Sequence, residues 1–292
     1  VHDDGRKKLF PSASEDAQAA CRCIKTAQTF SSSYRLAYQD HEFLNKDELR
    51  AVRLQLELMK PELVMREHGI EDTVIFFGGA RIPEPEAARK RLAEAAAAAA
   101  ADPANEVLAH DLRTATNLCQ SSRYYNEARE LAFRISGAEK TPDGPNLVVV
   151  TGGGPGIMEA ANRGACDAGA ASVGLNIVLP HEQEPNGYIT PELCFQFHYF
   201  AIRKMHFLMR AKALVVFPGG YGTLDELFET LTLIQTRKIR AIPVLLFGGE
   251  FWNRVINFRV LVDEGTISPE DTSLFQLVET AGEAWEIIRD MV

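Results

Sequence analysis

The stretch Leu214-Val215-Val216-Phe217-Pro218-Gly219-Gly220-Tyr221-Gly222-Thr223-Leu224-Asp225-Glu226 leaves this chain few folds to choose from. An apolar run stops at a proline, three glycines follow within four residues, and Thr223 with two acids opens an amphipathic segment. Leu224, Leu227, Phe228 and Leu231 form its apolar stripe. A buried strand, a tight turn and a helix N-terminus fit this order. Such a junction presents free backbone N–H groups and the positive end of a helix dipole to an anion, most often a phosphate. Thr223 and Glu226 also stand at the spacing of a capping box, which alone would account for both.

The same texture recurs along the chain. Thr73–Phe77 runs into Gly78-Gly79, residues 146–150 run into Thr151-Gly152-Gly153-Gly154-Pro155-Gly156, and Ile242–Phe247 runs into Gly248-Gly249. Between these junctions the spacing predicts helices over 84–101, 123–136, 157–169, 200–212 and 282–291, with another opening near Phe251. Further strands are predicted over 172–179 and near Phe195 and Phe275, with a polar loop over 180–191. Residues 102–120 read as a loop or a short helix. Strands that alternate with helices imply a parallel sheet wound by helices on both faces, a Rossmann-like, doubly wound α/β fold. All four glycine turns are then expected at one sheet edge, converging on one crevice. The 152–156 turn suits a phosphate, but no Gly-Lys-Ser/Thr follows it and it is not a G-x-G-x-x-G in register.

Composition excludes several alternatives. The 292 residues are 46% hydrophobic and 24% charged, and the net charge of -9 argues against a nucleic-acid or membrane-surface partner. No uninterrupted apolar stretch is long enough to span a bilayer. Five cysteines, an odd number, fit a reducing cytoplasm, the expected location, and the charged start (Asp3, Asp4, Lys7, Lys8) does not resemble a signal peptide. Cys21 and Cys23 form a C-x-C without a second pair at zinc spacing, so no metal is expected. Residues 1 to about 15 read as polar and disordered. From Ser14 to about Glu67 the pattern is helical, with Leu44, Leu49, Val52, Leu56 and Met59 as one apolar stripe and Pro61 as an interruption or kink. Residues 1–70 therefore read as a helical N-terminal extension covering the core or an oligomer interface, and 71–292 as the Rossmann-like domain.

Arg203 and Lys204 open a helix whose apolar face is Ala201, Ile202, Met205, Leu208 and Met209. Arg203, His206 and Arg210 share another face, from which an arginine can reach the crevice. His206 is a candidate general base, with a core or surface role preferred.

Gly152-Gly153-Gly154-Pro155-Gly156-Ile157-Met158-Glu159, Arg203-Lys204 and the P-G-G-x-G-T-x-x-E run from Pro218 to Glu226 together resemble the "lonely guy" family over roughly residues 73–290. Those proteins release cytokinin bases from nucleoside 5'-monophosphates and were often mislabelled lysine decarboxylases. The loop Leu179–Asn186 and the helical extension are more similar to the family's longer bacterial branch. The resemblance implies a catalytic pair at Arg203 and Glu226 and a nucleotide-binding loop at Gly219, Gly220, Tyr221, Gly222 and Thr223. It further implies substrate contacts from Gly78, Gly79, Gly152, Gly153, Gly154, Gly156, Lys204 and Thr232, and a binding glutamate at Glu184, or less readily Glu182. Many relatives have Gly-Ser where this chain has Gly78-Gly79, which puts one side-chain contact near the base or ribose in doubt. A homo-oligomer, dimer or higher, is implied as well.

The reaction so implied is hydrolysis of an N-glycosidic bond, giving a free purine base and ribose 5-phosphate. Glu226 suits the oxocarbenium-like centre and the water. Arg203, whose pKa is above about 12, can act only electrostatically. The competing readings are a non-catalytic nucleotide carrier on the same fold and a dinucleotide oxidoreductase. The second needs an acid about twenty positions past the glycine turn, and Ala171–Asn176 offers none. Nothing marks a lysine-bound pyridoxal site, so no cofactor is expected.

Overall fold

Short runs of β-branched, leucine and aromatic residues that are buried on both faces make strands for the interior of a parallel sheet. Seven strands, the two at the edges only partly buried, occur in the computed structural model, which describes residues 10–138, 146–180 and 184–291. They are β1 (Asp72–Phe77), β2 (Leu147–Thr151), β3 (Ser172–Ile177), β4 (Cys194–Phe197), β5 (Ala211–Val216), β6 (Val244–Phe247) and β7 (Gln276–Val278). The sheet order is β4-β3-β2-β1-β5-β6-β7, and every pairing is parallel. The chain winds outward from β1 to β4, returns to lay β5 beside β1, and winds outward again. The β1/β5 boundary is therefore the topological switch point, where an open α/β sheet places its ligand crevice.

Alternation along the strands divides the core in two. Val74, Phe76, Val149, Val215, Phe217 and Phe247 face the helices Arg123–Gly137, Ile157–Asp167 and Ala281–Met291. Ile75, Phe77, Val150, Leu214, Val216 and Leu246 face the opposite way, toward Met65, Phe207, Leu227 and Trp252 from four other helices. The Rossmann-like, doubly wound reading is thus observed, with all seven strands parallel.

Several local expectations are corrected. Residues 106–121 form a 16-residue helix, with Asn105 accepting from the N–H groups of Val107 and Leu108. That cap lies inside the stretch read as a loop or short helix, and its asparagine is the signal that was overlooked. The helix carrying Arg203 runs only over Phe200–Met209, and the strand read as starting at Leu214 begins at Ala211. Thr223 caps nothing: the helix Tyr221–Gln235 starts two residues earlier, its N-cap is Gly220, and no side chain caps it. The proposed Thr223/Glu226 capping box therefore does not form, because both residues lie within the helix.

The chain divides into two compact units, Val1–Leu56 and Glu57–Val292. In the first, Ala13–Ala20 is a helix opened by a Ser12/Glu15 capping box, so order begins inside the segment expected to be disordered; residues 1–9 lie outside the described ones. Instead of one helical run, short helices Ala27–Phe30 and His41–Leu44 and single 3₁₀ turns follow, each with its own cap or proline-free turn. The long helix Arg50–Glu67 passes through Pro61 unbroken. The expected apolar stripe is not its buried face: Val52, Leu56 and Met59 are exposed, whereas Pro61 and Met65 are buried.

At the sheet edge Gly156 has φ 73°, and a Cβ there would stand 2.5 Å from the Gly79 carbonyl oxygen. Both the left-handed backbone and the backbone neighbour exclude a side chain. Gly156→Ala should cost about 2–4 kcal/mol of unfolding free energy by chemical denaturation.

Candidate active site

Three glycine turns close on one another at the carboxyl ends of β1, β2 and β5. The Gly79 N–H donates to the Pro218 carbonyl at 2.9 Å, and the Gly79 carbonyl accepts the Ile157 N–H at 3.3 Å. Phe217 N–H donates to the Phe77 carbonyl at 2.8 Å, continuing the β1/β5 ladder past the strands. The turns wall a cleft of about 780 Å³, ample for a nucleotide. Gly78, Gly79, Gly152, Gly154, Gly219, Gly220, Tyr221, Gly222 and Thr223 all line it, as do Arg203 and Glu226. One wall is apolar, with Leu118, Ile177, Leu179, Phe200 and Phe251.

The fourth glycine turn does not join them. Gly248 packs against the Tyr124 ring, where a Cβ would stand 2.2 Å from the hydroxyl, and the Gly249 N–H donates to Glu279 at 2.8 Å. Its turn is bonded outward instead, the Gly248 N–H donating to the Val278 carbonyl at 3.0 Å at the end of β7, and of its neighbours Phe251 lines the cleft.

The uncapped helix Tyr221–Gln235 points its first turn at the cleft, with Tyr221, Gly222 and Thr223 all on the wall. Their N–H groups have no intrahelical acceptor, so they are free for an anion. Gly219 is required sterically, because a Cβ there would meet Thr223 Oγ1 at 2.1 Å. Gly220 and Gly222 face open space instead.

Arg203 and Glu226 meet across the cleft. Arg203 Nη1 lies 4.0 Å from Glu226 Oε1, and both side chains are largely buried. Arg203 Nε donates to the Leu175 carbonyl at 2.6 Å, which fixes the guanidinium against β3. Its ring partner is Phe207, 5.1 Å from the guanidinium carbon. Gly152 gives Arg203 its room: a Cβ there would stand 2.7 Å from Nη2. Burial pushes the Glu226 carboxyl up to about 7, with Lys204 and Arg203 pulling it down and Glu229 and Asp225 adding to the rise. Burial likewise lowers Arg203, and the Glu226 charge raises it in part. Desolvation wins on both sides because 4.0 Å is too long for a direct hydrogen bond.

Lys204 does not reach the cleft wall. Its ammonium bridges Asp225 at 2.9 Å and Glu229 at 2.7 Å, tying the helix Phe200–Met209 to the helix that carries Glu226. Burial pulls its pKa down, and the Glu229 and Asp225 bonds outweigh that and raise it. Thr232 is exposed, with its hydroxyl on the Phe228 carbonyl, and also lies off the cleft. Glu184 is exposed and off the cleft wall, and Glu182 lies outside the described residues. Gly153 and Gly156 sit behind the turn: Asn186 Nδ2 donates to the carbonyls of Gly153 and Gly154 at 3.1 and 3.0 Å, and to Asn162 at 3.0 Å. His206 is buried and faces away from the cleft, and burial lowers its pKa, so its position is that of a core residue.

Residues not foreseen from the sequence also line the cleft, among them Arg81, Leu118, Ser121, Asn176, Phe200 and Phe251. Leu118 and Ser121 come from the end of the helix Glu106–Ser121, most of which lies in the stretch read as a loop or a short helix. Arg81 lies two residues past the Gly78-Gly79 pair, which is the sequence signal for it. Among the described residues no group of His, Cys, Asp or Glu is arranged to hold a metal ion, and no helix is long and apolar enough to cross a membrane.

The chain is similar in sequence to known proteins. A family model described as possible lysine decarboxylase matches residues 158–288. The cytokinin riboside 5'-monophosphate phosphoribohydrolase LOG7 of Arabidopsis thaliana is 31% identical over 148 residues, which take in 49% of this chain and 65% of that protein. LOG1 of the same plant, with the same enzyme name, is 31% identical over 153 residues, 50% of this chain and 70% of the relative. The chain thus spans about two thirds of these relatives' length. Among solved structures, the molybdenum cofactor carrier protein of Chlamydomonas reinhardtii aligns with a TM-score of 0.44 and 16% identity, over 76% of this chain and 98% of that one. The chain belongs to the lonely guy family of phosphoribohydrolases.

Because Glu226 holds its proton more tightly when folded, with a pKa near 7 against 4.5, its stabilising contribution is full below about pH 4.5 and is lost as the pH rises through about 7. Between about pH 5 and pH 8 the wild type should lose on the order of 2 kcal/mol more stability than Glu226→Gln. Denaturant titrations of both proteins across that range measure the difference.

Proposed function

We propose that this chain hydrolyses the N-glycosidic bond of a purine nucleoside 5'-monophosphate, releasing the free base and ribose 5-phosphate. The observation that carries this reading is the buried Glu226 beside Arg203, set one turn inside an uncapped helix whose N-terminus opens on the same cleft. The free N–H groups of Tyr221, Gly222 and Thr223 take the 5'-phosphate, and that remote binding positions C1'. The apolar wall of Leu118, Ile177, Leu179 and Phe251 takes the base, and it has room for an N6 substituent of the cytokinin kind.

Cleavage builds positive charge at C1' and negative charge on the departing base. Glu226 holds the ribose hydroxyls, stabilises the oxocarbenium-like centre and orients the attacking water. Arg203 stabilises the leaving base or the phosphate and does not itself give a proton. A carboxyl near pH 7 exchanges protons readily at neutral pH, which suits Glu226 to accept the water's proton as the bond breaks. Under this reading kcat/KM for AMP or N6-isopentenyl-AMP rises between about pH 6 and pH 8 and then levels, following Glu226 ionisation in the free enzyme. A flat profile would argue against a carboxylate role.

Incubation with a panel of nucleosides, nucleoside 5'-monophosphates and N6-isopentenyl-AMP, with free base read by chromatography, tests the activity and its base preference. Glu226→Ala and Arg203→Ala should each abolish base release while remaining folded by circular dichroism; near-wild-type turnover by either sinks the assignment. AMP that binds but is never cleaved by the wild type would favour the nucleotide carrier instead.

Gly222→Ala separates binding from folding. Its Cβ would meet no protein atom, and alanine is the better helix residue, so stability should hold or rise by up to about 1 kcal/mol. The methyl group would stand where the phosphate approaches, so KM should rise at least about tenfold.

A further inference from the structure

The helix that presents Arg203 is gripped at both ends by one neighbouring helix, outside the cleft. The helix Phe200–Met209 has Tyr199 at its N-cap and no capping side chain from its own segment. Instead, the Glu57 carboxylate accepts the His198 N–H at 2.9 Å on one oxygen and the Tyr199 N–H at 3.1 Å on the other. A carboxylate at this end also meets the positive end of the helix dipole.

The other end is held as firmly. Arg210, the C-cap residue, gives two guanidinium nitrogens to Glu62 at 2.7 and 2.6 Å and its Nε to the Ile70 carbonyl at 3.0 Å. The Arg210 bonds hold the Glu62 carboxyl below the usual carboxylate range. Arg210 is well buried and is followed directly by β5, so this fork also sets where the strand begins.

Between the two grips lies Pro61, which has no N–H to give the Glu57 carbonyl four residues back. His206 packs at this place: it is buried, lies 5.5 Å from the Phe197 ring, and neither ring nitrogen meets a partner at hydrogen-bonding geometry. It packs between the helices beside the Glu57 and Leu58 backbone, and Glu57 and Glu62 supply the charged ties.

We propose that Glu57 and Glu62 are positioning residues that hold the Arg203 helix in register with Glu226. The site needs this because Arg203 and Glu226 stand 4.0 Å apart without a hydrogen bond, so their geometry is set by the elements that carry them. Lys204 ties the helix to its neighbour on the cleft side, and the two glutamates tie it from behind. Neither glutamate lines the cleft. The catalytic consequence rests on the phosphoribohydrolase reading given above; the brace itself does not.

The test compares Glu57→Ala and Glu57→Gln with Glu67→Gln, which removes an exposed carboxylate from the same helix. Hydrogen–deuterium exchange over residues 198–210 should quicken in both Glu57 variants and stay at the wild-type rate in Glu67→Gln. With the nucleotide that the wild type cleaves, kcat should fall about tenfold in Glu57→Ala and less in Glu57→Gln, with KM within about twofold, since the phosphate sits on the glycine turns. Glu57→Gln keeps the shape and serves if the alanine variant does not fold. Unchanged exchange, or faster exchange with wild-type kcat, overturns the proposal. If the wild type cleaves no nucleotide, the functional reading falls and the exchange comparison alone decides the brace.

Discussion

Everything at this sheet edge depends on three backbones meeting at Gly79. Its N–H bonds the turn after β5 and its carbonyl bonds the helix after β2. Parallel strands are normally held to one another only along their length. Here the bonding continues past the strand ends, so the turns are fixed relative to one another as the strands are. The requirement is steric before it is chemical. A side chain at Gly78 would strike Ile157, one at Gly156 would strike Gly79 and Ala80, and one at Gly219 would strike Thr223. Only after those approaches are made can an uncapped helix end and a buried carboxylate share a cleft.

That cleft then holds charges under tension. Glu226 is buried beside two cations, yet desolvation still outweighs them and raises its pKa to about 7. Arg203 is buried beside a carboxylate, yet desolvation still lowers its pKa. A closer ion pair would have relaxed both, and Lys204 with Asp225 and Glu229 is such a pair, at 2.9 and 2.7 Å. The arrangement satisfies the lysine and leaves the arginine and the glutamate short of partners, as a site awaiting a polar ligand would.

Much of this was legible in the chain. The strand–glycine–helix junctions at Gly78, Gly152 and Gly219 follow from local rules, because a buried parallel strand needs a continuous apolar run and a tight exit needs residues without a Cβ. The pairing of Arg203 with Glu226 was legible through motif resemblance. The errors have local causes too. Gly248-Gly249 has the same local texture as the other turns, but its backbone is bonded outward, to Val278 and Glu279. Thr223 and Glu226 have capping-box spacing, but Gly220 had already started the helix. The stripe through Val52, Leu56 and Met59 has helical periodicity, but the face that meets the sheet is set by Pro61 and Met65.

The sequence by itself determined the fold class, the glycine turns and the identity of the charged residues, since these depend on periodicity, propensity and steric freedom within a few positions. Only the tertiary structure decided which turns share a cleft, that Lys204 is spent on Asp225 and Glu229, and that Glu57 and Glu62 grip the Arg203 helix. Those outcomes depend on strand order and on contacts more than 140 positions apart, as from Glu57 to His198, and no local pattern encodes either. The raised pKa of Glu226 belongs with them, because it is the burial of that carboxylate, and not its place in a motif, that sets it.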